Sequence, residues 1–70
     1  MERKNVESSH ILSIGYDENS KILEVEFKGK KVYQYKQVPK GVYENLMNSD
    51  SHGTFLSAYI RDKYPTIKIN

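Results

Sequence analysis

Between Ile22 and Lys28 apolar and charged residues alternate without a break. Leu23, Val25 and Phe27 take turns with Glu24, Glu26 and Lys28. A strand turns successive side chains to opposite faces, so this pattern predicts a strand with one face buried. Ser8 to Tyr16 predicts another, with His10, Leu12, Ile14 and Tyr16 on one face and Ile11, Ser13 and Gly15 on the other. Asp17-Glu18-Asn19-Ser20 joins them as a turn, because Asp and Asn side chains bond their own backbone there. Gly29 breaks the alternation, and a third strand runs from Lys31 to Val38. Such short connections predict an antiparallel meander. Residues 1–7 are polar and read as a flexible tail, leaving residues 8–70 as the domain.

The period changes after Val38. Pro39 suits the first helical position, where a missing N–H is no loss. Val42, Tyr43, Leu46 and Met47 then form one helical stripe, and Asn48-Ser49-Asp50-Ser51 ends it. Ser51 or Thr54 can cap a second helix carrying Phe55, Leu56, Tyr59 and Ile60 on one stripe. Arg61 and Lys63 fall in its last turn, and Pro65 stops it. Thr66-Ile67-Lys68-Ile69 reads as a short fourth strand or a docked tail. The order β-β-β-α-α predicts an α+β domain, a three-stranded antiparallel meander with two C-terminal helices packed on one sheet face.

The chain has 70 residues, enough for one small core. A chain of this size buries only about 60–65% of its unfolded surface, so stability should be marginal. It has no cysteine, which removes disulfides and thiolate metal sites and suits a reducing, cytoplasmic setting. The polar start, Met1-Glu2-Arg3-Lys4-Asn5, carries no secretory apolar segment, and no run is long enough to span a bilayer. Eleven Lys and Arg face nine Asp and Glu. A net charge of +2 is far from that of a strongly basic nucleic-acid binder. Any electrostatic argument must rest on local clustering.

Such a cluster exists. From Phe27 to Tyr43 there are five lysines and no acid, and Tyr33-Gln34-Tyr35 lies inside. Aromatic rings among lysines are one means of holding single-stranded nucleic acid, at about 1–3 kcal/mol per stacked base. They are equally a way to build half a sheet face. The loop after Phe27 decides which. A two-residue loop at Gly29-Lys30 pairs Phe27 with Val32 and sends Tyr33 and Tyr35 to the face of Glu24 and Glu26. A three-residue loop, Lys28-Gly29-Lys30, pairs Val25 with Tyr33 and Leu23 with Tyr35, lining the helix-covered face. One residue of register moves the whole set across the sheet. Turn chemistry favours the first, and core composition the second, because the first buries Gln34 and Lys36 under the helices.

Lys28, Lys30 and Lys31 crowd the hairpin tip, either as a solvated end that discourages edge-to-edge pairing or as a phosphate-contacting loop. Lys36, Arg61 or Lys63 on the same face would extend the tip into a basic stripe. The two histidines, His10 and His52, lie far apart and have no ligand pair nearby, so no metal is expected. Ser9 and His10 diverge on a strand and make no nucleophile–base pair. Ser51-x-Gly53-x-Phe55 reads as a helix start, or as N–H groups holding a phosphate. No Gly-rich phosphate loop is present, so no cofactor and no catalysis are expected.

Ser8-Ser9-x-Ile11, Ile14-Gly15-Tyr16, Leu23-x-Val25-x-Phe27, Tyr33-x-Tyr35, Val38-Pro39, Tyr43, Leu46, Ser51-x-Gly53, Phe55, Ile60 and Tyr64 follow one another in that order. The set resembles the KTSC domain, a short bacterial module that stands alone or extends the C-terminus of some lysyl-tRNA synthetases. The resemblance covers Ser8 to Tyr64 and implies no established activity; through the synthetase context it implies RNA as a candidate partner. The expected function is a non-catalytic, monomeric binding module for RNA, either tRNA or a single strand. Lys28, Lys30, Lys31, Tyr33, Tyr35 and Lys36 are its candidate contacts. The alternative is a protein-interaction module that uses a sheet edge or the C-terminal tail.

Overall fold

The computed structural model describes all 70 residues. Its centre is the expected meander: β2 (Ile11–Asp17), β3 (Ile22–Phe27) and β4 (Lys31–Tyr35), all antiparallel. The sheet has five strands rather than three, in the order β1-β2-β3-β4-β5. The additions come from the ends of the chain. β1 (Arg3–Asn5) lies in the segment read as a tail and pairs with β2, and β5 (Thr66–Lys68) pairs with β4. β5 realises the strand reading of residues 66–69, whereas β1, three residues long, is too short to show a period of its own.

One face of the sheet is covered by α1 (Lys40–Asn48) and by α2 (His52–Phe55), which continues as a π-helical turn over Leu56–Ile60. The core between the layers joins Ile11, Ile14, Leu23, Val25 and Tyr35 of the sheet, Val38 of the following loop, and Leu46, Leu56 and Ile60 of the helices. Pro39 stands one place earlier than expected. It is extended (ψ 151°), and its carbonyl accepts from Val42 and Tyr43 as α1 starts at Lys40. Ser51 caps α2, its hydroxyl accepting from the Thr54 N–H at 3.4 Å. The helix ends at Ile60, so Arg61 and Lys63 lie beyond it rather than in its last turn. The wide turn is closed by the Arg61 N–H on the Leu56 carbonyl at 2.8 Å. It keeps Leu56 and Ile60 inward and rotates Tyr59 out of the expected stripe, leaving Tyr59 62% exposed.

A bulge corrects the expected faces of β2. Ile11 pairs with Phe27 but Ser13 pairs with Glu26, so Leu12 is the extra residue. A bulge re-aims the side chains before it. Ile11 therefore joins Ile14 and Tyr16 on the core face, while His10 and Leu12 are exposed. The Ser8 hydroxyl fixes the approach, accepting from the N–H groups of His10 and Ile11 at 3.3 Å each. At the other end of β2, Asp17 Oδ1 accepts from the Asn19 N–H at 3.0 Å, the expected Asp-initiated turn.

The opposite face carries a polar network. Arg3 crosses Gly15 to reach Glu24 at 3.2 Å and Glu26 at 3.9 Å. Gln34 Nε2 donates to Glu24 at 2.8 Å, and the buried Ser13 hydroxyl donates to Glu26 at 2.9 Å. Gly15 makes room for this crossing. A β-carbon there would sit 2.8 Å from Arg3 Cγ and 2.8 Å from the Glu2 carbonyl oxygen, closer than atoms pack. Gly15→Ala is therefore expected to push β1 off the sheet edge. Amide exchange at Arg3–Asn5 should accelerate at least tenfold, and stability should fall by about 1–2 kcal/mol.

Candidate functional site

The hairpin loop has three residues. Val25 pairs with Tyr33, Leu23 with Tyr35, and Phe27 with Lys31. Core packing outweighs turn chemistry here. This register puts Tyr35 in the core at 4% exposure and leaves Gln34 to bond Glu24 on the open face. The loop holds both Gly29 (φ 90°) and Lys30 (φ 64°) in the left-handed region. For a lysine that costs about 1–2 kcal/mol. The loop is held in place from both sides. The Lys28 N–H donates to the His10 carbonyl at 2.9 Å, and Asn70 Nδ2 donates to the Lys30 carbonyl at 3.2 Å.

The six candidate residues are thus divided. Lys28, Lys30 and Lys31 come together, all exposed, at one end of β4. Lys36 lies past the other end of that strand, about 16 Å away at roughly 3.3 Å per residue. Tyr33 is half-buried and meets Phe27 edge-on, with ring centroids 5.6 Å apart. Tyr35 is core, so the two tyrosines do not form a two-ring stacking platform.

A partly open recess of about 320 Å³ lies along this face of the sheet, from Phe27 to Tyr35, against the end of the second helix. Phe27, Tyr33 and Tyr35 line it from the sheet, and Leu56 from the π-helical turn. Arg61, Asp62 and Thr66 complete its rim. Lys31, across from Phe27, and Lys68, across from Tyr33, share this face of the sheet. Of the cations considered for a stripe, Arg61 reaches the recess. Phe27, Asp62, Thr66 and Lys68 were missed by sequence reasoning. Only the β4–β5 pairing brings Thr66 and Lys68 here, and no local pattern announces a contact more than thirty residues away in sequence.

Burial pushes the Tyr35 hydroxyl above its ordinary 10.0; Tyr33 and Asp62 push the same way and Arg61 opposes them. Desolvation also raises the Tyr16 hydroxyl, helped by Glu18 and Asp17 against Lys40. The Tyr16 hydroxyl donates to the Val38 carbonyl, and its ring stacks on Tyr43 at 4.8 Å. Both phenols keep their protons longer in the folded chain than in the unfolded one. The associated stability is whole below the unfolded value near 10 and is lost as pH rises through the folded values. The urea midpoint is expected to fall more steeply above about pH 10 than below it, and Tyr35→Phe to flatten that fall.

The other segments considered do structural work. Ser51 and Thr54 bond each other, hydroxyl to hydroxyl, at 2.9 Å, and α2 spans only four residues. His10 is exposed, and His52 is half-buried with its Nδ1 enclosed and unpartnered. No three His, Asp or Glu side chains converge as a metal site would require. No helix is long and apolar enough to cross a membrane.

The model of the KTSC domain family matches residues 7–64. The chain belongs to the KTSC domain family. A KTSC domain protein from Yersinia pestis, solved by crystallography, is 40% identical, with a TM-score of 0.95 over 99% of this chain and 97% of that one. An uncharacterized protein of Stutzerimonas stutzeri is 36% identical, covering 91% of this chain and 90% of its own length. A lysine–tRNA ligase of Nostoc punctiforme is 34% identical over 58 residues, which are 83% of this chain but 10% of the ligase. β1 and β5 fall outside the stretch matched by the family model, which holds the meander and both helices of the KTSC domain.

Proposed function

We propose that this KTSC domain is a small non-catalytic module that binds RNA as a single strand. Lys28, Lys30 and Lys31 contact phosphates, and the recess beside Tyr33 receives a base. One observation carries the reading: the register sorts charge by face. Glu24 and Glu26 lie on the far face, already engaged by Arg3 and Gln34, while Lys31 and Lys68 flank Tyr33 on the near face. Phosphates approaching Tyr33 thus meet cations rather than those acids. The similar segment in lysine–tRNA ligases makes tRNA, at its unpaired loops or end, a natural RNA to try.

Fluorescence anisotropy with a labelled single-stranded RNA tests the proposal. Binding should be measurable at 50 mM salt and weaken as salt rises. With three to five phosphates neutralised, the log–log slope should be about −2 to −3.5. Absence of binding at high micromolar protein in low salt overturns it.

A second reading has one observation in its favour. β5 is a sheet edge whose three residues are all exposed, and Ile67 and Ile69 beside it are 42% and 49% exposed. A protein strand could add there. Recovery of a protein partner that survives nuclease treatment and is lost with Ile67→Lys would favour it.

A further inference from the structure

Arg61 and Asp62 enter no hydrogen bond or ion pair through their side chains, although both line the recess. On the far face, by contrast, Arg3, Glu24 and Glu26 are all engaged. Asp62 also has its backbone in the left-handed region, at φ 65°. Asp and Asn are the non-glycine residues that adopt this conformation most readily. The volume of about 320 Å³ is at the small end for ligand sites, room for a single base but not for a duplex. Three aromatic rings line the recess; Tyr35 is core and Phe27 lies edge-on to Tyr33, which leaves Tyr33 as the ring assigned to stack a base.

We infer that the recess is selective for guanine, with Asp62 accepting hydrogen bonds from its Watson–Crick edge while the base packs on Tyr33. The inference rests on the RNA-binding reading above. A carboxylate offers two acceptors side by side and no donor. Guanine presents two adjacent donors, N1–H and the N2 amino group, and pairs with both oxygens. Adenine and cytosine each set a donor beside an acceptor. Uracil has one donor between two acceptors. Each of these turns a lone pair toward the carboxylate and leaves part of it unmatched, which is how polar sites reject near-analogues. Single-stranded RNA is read in this way, by stacking and by bonds to the Watson–Crick edge of splayed bases. Arg61, next in the chain, offsets the carboxylate charge, so the recess does not repel the phosphates that bring the base.

The test compares an octamer of uridines with the same octamer carrying one central guanosine, each titrated into the full chain and into Asp62→Asn. Asn tolerates the left-handed backbone, so the variant keeps the local fold. The expected result is at least tenfold tighter binding of the guanosine octamer by the native chain. Asp62→Asn should lose that preference, binding the two octamers within about twofold of each other. Equal binding of the two octamers by the native chain overturns the guanine assignment and leaves RNA binding intact. A preference that survives in Asp62→Asn overturns it too. If neither octamer binds, the RNA-binding reading itself falls, and this inference with it.

Discussion

Tyr35→Ala is expected to cost about 3–5 kcal/mol, the usual result of truncating a buried aromatic side chain. A domain of this length holds only about 3.5–10 kcal/mol in total, so the loss removes about a third or more of its stability and, at the low end of that range, unfolds it at 25 °C. Tyr33→Ala, two residues away on the same strand and face, is expected to cost less than about 2 kcal/mol. Its ring is half-buried and packs edge-on against Phe27 rather than inside the cluster of Ile14, Leu23, Val25 and Leu46. Urea unfolding followed by circular dichroism measures both. The contrast depends on the three-residue loop, since a two-residue loop would move both rings to the far face and make the two costs alike. Tyr35→Phe keeps the ring and should cost under about 1 kcal/mol, which separates loss of packing from loss of the hydroxyl.

Reversing the hairpin charges is expected to have the largest effect on binding. Lys28→Glu, Lys30→Glu and Lys31→Glu together should weaken single-stranded RNA binding at least a hundredfold at 50 mM salt. The salt slope should drop by about 2 units, roughly 0.7 for each phosphate no longer neutralised. All three side chains are exposed and none is ion-paired, so stability should change by no more than about 1 kcal/mol. Lys36→Glu, at the far end of β4, should weaken binding less than threefold. Anisotropy titrations across salt concentrations measure all of these. Equal losses from Lys36 and from the triple variant would mean a diffuse charge effect rather than a site.

What was legible in the sequence was local. The alternation in β3, the Asp17 turn, the Ser51 cap and the apolar stripe of α1 each depend on residues within a few positions of one another. The structure carries them as the patterns predict. What was not legible depended on competition between distant parts. The faces of β2 hinge on a bulge at Leu12, forced because Ile11 and Ile14 both enter the core despite standing three apart in a strand. The Gly29 loop was undecided between turn chemistry and burial. Its outcome puts Lys30 in an unfavourable backbone conformation so that Tyr35 can be buried. β1 is too short to carry a pattern, and β5, one of the two readings of residues 66–69, shows as a strand only once the meander offers its second free edge.

The candidate site divides in the same way. Lys28, Lys30 and Lys31 are neighbours in sequence and stay together in space. The recess beside them is assembled from β3, β4, the π-helical turn and β5, with Arg61 and Asp62 arriving from a loop more than twenty-five residues beyond Tyr33. A sequence pattern shows the cluster of charge but not the cavity that gives it a use.

Everything proposed for binding depends on the sorting of charge between the two sheet faces. Amide shifts of the isotopically labelled chain, titrated with single-stranded RNA at low salt, test it most directly. Shifts are expected at Lys28–Lys31, Tyr33, Asp62 and Lys68, with Arg3, Glu24 and Glu26 unmoved. Shifts centred on Arg3, Glu24 and Glu26, or none at high micromolar RNA, would contradict it.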